Sequence, residues 1–120
     1  MGWEFDRDRP IYLQLEDRIK GMIVLGAYPP GSKLPAVREL AEAAQVNPNT
    51  LQRALLDLER EGLLFAQRTS GRFVTEDEGA IRAAKEGLAR AEIERCLAAL
   101  HSLGIGAKEA AEMILGQEEG

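Results

Sequence analysis

Asn49, Thr50, Gln52 and Arg53 crowd into one short stretch, NTLQR. Amide, hydroxyl and guanidinium groups at this density match the groups that nucleic acids present. Asn and Gln can pair with an adenine edge and Arg with a guanine edge, although each can equally touch phosphate or water. Arg38 lies upstream, and Arg68, Ser70, Gly71 and Arg72 lie downstream. The arginines have ordinary alternatives. Arg38 and Arg53 could pair with Glu42 and Asp57 four residues on along a helix, and Arg68 and Arg72 could be solvated charges at a turn.

The residues of ordinary enzyme chemistry are not arranged for it. His101 has no cysteine or histidine partner at metal-ligand spacing, so no metal is expected. Cys96 is the only cysteine, which excludes an internal disulfide, and its place beside Leu97 suggests a buried structural thiol. No nucleophile–base pair, phosphate loop or dinucleotide fingerprint is present, and no cofactor is expected.

The elements that must position the polar groups follow from apolar spacing. Ile11, Leu15, Ile19 and Met22 or Ile23 predict a first helix over 10–25, stopped by Gly26. AYPPGSKLP is too rich in proline for a helix and reads as a loop with a short extended piece. Val37, Leu40, Ala41 and Ala44 predict a second helix over 36–44. After the turn Gln45-Val46-Asn47, the cap Asn47 and Pro48 start a third helix that runs to about Glu61 and ends at Gly62. At about 100° per residue, Leu51, Leu55 and Leu58 share its inner face. Asn49, Arg53 and Arg60 cluster opposite, flanked by Thr50 and Gln52. Leu56 points outward with them, which the pattern does not explain. Residues 63–68 and 72–75 read as two strands reversing at Thr69-Ser70-Gly71. EDEG at 76–79 reads as an acidic hinge, 80–103 as a long helix and 107–115 as a short one.

The fold class is therefore mainly α with a small β-wing. A winged helix-turn-helix over 1–75 precedes a two-helix tail over 76–120. In the tail Leu88, Ile93, Leu97, Leu100, Leu103 and Ile114 form apolar stripes suited to dimerisation. Apolar residues make up 45% of the chain, enough for a buried core. No apolar run approaches the roughly 18 residues of a membrane span, and the N-terminus lacks a signal-peptide core, so the cytoplasm is the expected compartment. The net charge of −5 disfavours a nucleic-acid binder until it is divided. Over residues 1–75 ten basic residues balance ten acidic ones, whereas 76–120 carry five against ten. The wing segment 62–75 holds Arg68 and Arg72 and no acid. Local field rather than net charge governs phosphate binding.

PPGSKLP, VRELA at 37–41, VNPNTLQRAL at 46–55, LEREGLL at 58–64 and GRFV at 71–74 follow one another in order. This block, from Pro10 to Val74, resembles the DNA-binding domain of the GntR family of bacterial transcription regulators. The short helical tail looks like the YtrA-type subfamily. The resemblance implies a homodimeric, sequence-specific regulator, a repressor, acting on a palindromic DNA operator. It implies DNA contact by Arg38, by Asn49, Thr50 and Gln52 on the recognition helix, and by the wing from Arg68 through Ser70 and Gly71 to Arg72; Arg53, on the same face, is expected to join them. Four residues depart from the family pattern: Ala36 stands for a usual capping Ser, Pro48 for a frequent Arg, Thr69 for a wing Gly and Arg72 for a Thr. The alternative reading is a winged-helix protein-interaction module without specific DNA binding. The tail is too short for a ligand domain of its own, so a small-molecule effector, if one exists, would use a cavity between paired helices or the hinge.

Overall fold

The computed structural model describes residues 3–119. The outermost residues of the two expected domains, 1–2 and 120, lie outside the described residues. Helix α1 (Ile11–Val24) is followed by α2 (Val37–Ala44), α3 (Pro48–Arg60), strands β1 (Leu64–Gln67) and β2 (Gly71–Val74), and helices α4 (Glu78–His101) and α5 (Ala107–Glu119).

The first three helices bury one apolar stripe each. Leu15, Ile19 and Ile23 of α1, Leu40, Ala41 and Ala44 of α2, and Leu51, Ala54, Leu55 and Leu58 of α3 form one core, with Leu34, Leu63, Leu64 and Val74 beneath the wing. Asn47 caps α3: its Oδ1 accepts from the Asn49 N–H at 2.7 Å, and Pro48 takes the first helical position. At the end of α2, Gln45 turns the chain with φ 57°, the only positive φ of a non-glycine residue among those described. That reversal ends α2 and turns the chain toward α3.

Ala36 is the N-cap of α2, with extended backbone and no side-chain hydrogen bond. The first-turn N–H groups therefore lack the acceptor that a serine would supply. Ala36→Ser should stabilise the fold by about 0.5–1 kcal/mol, because the hydroxyl can cap the helix while Glu39 completes a capping box. An unchanged or lower melting temperature in the variant would refute this.

The wing is a two-stranded antiparallel sheet pairing Leu64 with Val74 and Gln67 with Gly71. The loop before α2 extends it: the Leu34 N–H donates to the Arg72 carbonyl at 2.9 Å, and Lys33 bridges Phe73. Gly71 has φ 107°, and a Cβ there would meet the Lys33 side chain at 3.1 Å, so glycine suits this end of the hairpin on both counts.

Four differences from the sequence reading concern the tail. The acidic hinge is shorter than EDEG, because Asp77 caps α4 by accepting from the Gly79 N–H at 2.9 Å, and Glu78 is already helical. The first turns of α4 then pack Ala80, Ile81 and Ala84 against the core. A first compact unit accordingly ends at Lys85 and a second begins at Glu86, whereas the shift in composition suggests a boundary at 75. Helix α5 also runs past Leu115 to Glu119, since Gln117 and Glu118 are good helix formers and nothing in the segment is a proline. In the second unit Ala110 is buried, and Cys96, expected as a buried thiol, is exposed. The apolar neighbours along α4 did not imply a cover: no residue of that helix is buried.

Candidate nucleic-acid interface

Helix α3 is seated by its apolar face, and its other face is left to solvent. Asn49, Gln52 and Arg53 are exposed and Thr50 is half-buried. Because Asn47 supplies the cap, the side chain of Asn49 is not consumed in holding the helix start. Leu56, unexplained by the pattern, is 41% exposed on the outer surface. Among the described residues neither of the alternative helix pairs forms. Arg38 is exposed on α2 without an ion pair to Glu42. Asp57 instead accepts from the Arg60 guanidinium at 2.8 Å. Arg53 turns the other way, with its Cζ 3.6 Å from the centroid of the Tyr12 ring on α1.

At the wing tip, Arg68 and Ser70 are exposed, along with Gly71. Arg72 is placed differently. Its Nε donates to Glu59 Oε2 at 2.7 Å, and its side chain is only 16% exposed. This ion pair braces β2 against the last turn of α3, so Arg72 fixes the wing relative to the recognition helix instead of lying open beside Arg68. Stacking of Phe65 on Phe73, with centroids 5.8 Å apart, stiffens the same hairpin. Between the wing tip and the start of α2 lies a cavity of about 330 Å³, whose wall includes Lys33, Ala36, Ser70 and Arg72 and no acidic residue.

Behind α3 the electrostatics reverse. Glu16 of α1 is 7% exposed, and its Oε2 has no hydrogen-bond partner. Burial, followed by the neighbouring Asp57 and then Glu61, pushes its carboxyl up to about 7, while Lys20 opposes the shift. Lys20 itself bonds Glu61 at 2.8 Å.

Sequence reasoning missed three contributors. Tyr12 lies on the buried stripe of α1, three residues before Leu15 and seven before Ile19, but no helix rule points its ring at Arg53. Glu59 shows no signal as the partner of Arg72. Lys33 lies within PPGSKLP, but only the fold brings it to the wing. The expected tail residues remain open. Leu88, Leu97 and Leu100 are half-buried, while Ile93, Leu103 and Ile114 are 57%, 75% and 56% exposed, joined by Met113 and Leu115. Among the described residues there is no group of three metal-ligating side chains, and no helix is long and apolar enough to cross a membrane.

Residues 11–74 match the family model described as bacterial regulatory proteins, gntR family. Over 120 residues, all of this chain and 99% of the relative, the sequence is 37% identical to the uncharacterised HTH-type transcriptional regulator YhcF of Bacillus subtilis. It is 43% identical over 68 residues, 57% of this chain and 52% of the relative, to the HTH-type transcriptional repressor YtrA of the same organism. A GntR family transcriptional regulator from Listeria monocytogenes superposes with a TM-score of 0.82 at 35% identity, covering 93% of this chain and 98% of that one. The crystal structure of AraR(DBD) in complex with operator ORX1 matches 62% of this chain and 90% of its own, with a TM-score of 0.55 at 31% identity.

Proposed function

The chain belongs to the gntR family of bacterial regulatory proteins, and we propose that this DNA-binding transcription regulator works as a homodimer that represses by occupying a palindromic operator. The observation that carries the reading is the exposed polar face of α3, with Asn49, Gln52 and Arg53 free of competing partners on the same helix. Its fold relatives include AraR(DBD), which was solved on an operator, and its sequence relatives include the repressor YtrA.

In this reading α3 enters a major groove, where Asn49, Thr50 and Gln52 meet base edges and Arg53 meets a base or phosphate. Arg38 holds the phosphate backbone. Arg68, Ser70 and Gly71 reach the neighbouring minor groove or its phosphates, and Arg72 keeps the wing in position. Leu88, Ile93, Leu97, Leu100, Leu103 and Ile114 pair two tails, which places two heads on two half-sites about one helical turn or a little more apart. The site of action is the cytoplasm.

Substitutions separate backbone contact from base reading. Arg38→Ala should weaken binding to all sequences alike and reduce the salt slope by about one. Gln52→Ala or Asn49→Ala should instead relax preference at one base pair by about 1–3 kcal/mol where the contact is bidentate. Both are checked by titrating DNA that the wild-type chain enriches from a randomised duplex library, at several salt concentrations. Failure of the wild-type chain to enrich any sequence would refute specific DNA binding and favour a protein-interaction module.

A further inference from the structure

We infer that Tyr12 is a positioning residue for DNA binding, its ring holding the Arg53 guanidinium ready at the exposed edge of α3. The inference rests on the DNA-binding reading above and adds a residue from outside the helix-turn-helix. Its basis is the stack, with Arg53 Cζ 3.6 Å from the centroid of the Tyr12 ring.

Three features make this contact a device for presenting the arginine. The first is the nature of the partner. A ring attracts a cation through its quadrupole without neutralising it, whereas a carboxylate would cancel the charge that a phosphate or guanine needs. The carboxylate at the right spacing, Asp57, is held by Arg60, so Arg53 keeps its charge unpaired among the described residues. The second is geometric. A guanidinium stacks through its flat face, while its N–H donors point outward in the plane and stay available for a bidentate acceptor. The third is anchoring. Tyr12 is half-buried and packs against the core beside Leu15 and Ile19 of the same helix. The platform under Arg53 is thus set by the head's interior and not by the mobile surface. A free arginine on a helix surface would have to be immobilised when DNA binds, and the stack removes part of that cost beforehand.

The test uses the full-length chain and, as probe, the duplex that the wild type enriches from a randomised library. Tyr12→Leu keeps an apolar side chain but removes the ring, and should weaken binding by about three- to tenfold. Tyr12→Phe keeps the ring and should recover most of that loss. In an Arg53→Ala background, Tyr12→Leu should cost nothing further, because its effect passes through Arg53. Circular-dichroism melts establish that each variant is folded. If Tyr12→Leu does not fold, Tyr12→Met is measured in the same cycle. Wild-type affinity in the ring-less variant, or an equal loss with and without Arg53, would overturn the inference. A wild-type chain that enriches no duplex would instead refute the DNA-binding reading itself.

Discussion

Removing residues 86–120 should leave a folded head that binds its operator at least about tenfold more weakly than the full chain, because linked heads commonly exceed single-site affinity by about 10²–10⁴. The second unit offers Ile93, Leu103, Met113, Ile114 and Leu115 to solvent, all more than half exposed. Full burial of such a side chain is worth about 1.5–3 kcal/mol, so pairing of two tails would gain several times that. The cut belongs after Lys85 because Ala80, Ile81 and Ala84 are part of the head's core. A cut at the compositional boundary would strip them and confuse lost pairing with lost stability. Equilibrium sedimentation should find the full chain at twice its 13.2 kDa mass and the truncated head as a monomer with its helical circular dichroism intact. In the full chain, Ile114→Glu should have the same two effects by placing a charge on the pairing face. A truncated head that binds as tightly as the whole protein would show that the tail is not the dimeriser, and the heads or the DNA would then have to bring the subunits together.

That boundary marks where the sequence stops being legible. The order helix, turn, helix, hairpin can be read from Pro10 to Val74 because each element carries its own local signals. Three helical stripes, the Asn47-Pro48 start and the glycine at the end of the hairpin all operate within a few residues. The polar face of α3 is legible for the same reason, since helical periodicity places Asn49, Gln52 and Arg53 opposite Leu51, Leu55 and Leu58. What those side chains do next depends on residues far away in the chain. The i,i+4 rule offers Asp57 to Arg53, but it cannot know that Arg60 competes for Asp57 or that α1 brings Tyr12 across. It likewise cannot show that Arg72 is drawn inward by Glu59. Cys96 departs from its expected burial for a related reason. Periodicity can place a thiol beside leucines on one side of a helix, but burial requires a second layer, and α4 buries none of its residues.

Glu16→Gln should stabilise the head by about 1–3 kcal/mol at pH 8 and by almost nothing near pH 4.5. Glu16 lies on α1 with its carboxyl buried toward α3, where Asp57 and Glu61 add negative charge and only Lys20 offsets it. Burial, then Asp57, raises its carboxyl from 4.5 to about 7. The sign follows from proton binding. Below 4.5 the group is protonated in both folded and unfolded chains, and it costs nothing. Between 4.5 and about 7 the unfolded chain releases the proton while the folded one retains it, so stability falls as pH rises. Above about 7 the folded protein carries a buried carboxylate and the loss is complete. At about 1.4 kcal/mol per pH unit the interval sets a ceiling near 3 kcal/mol, and relaxation around the charge lowers it. Glutamine has nearly the same shape, never ionises, and its amide can donate to Asp57 as the protonated acid would. Urea denaturation of both proteins at pH 4.5, 6 and 8, at one protein concentration, should give stability curves that diverge as pH rises. Parallel curves would refute the account. The consequence reaches beyond stability, because Asp57 lies on the recognition helix and Glu61 at its C-terminal cap. The contact of α1 with α3 beside Glu16 is accordingly expected to be weakest at the alkaline end of the range.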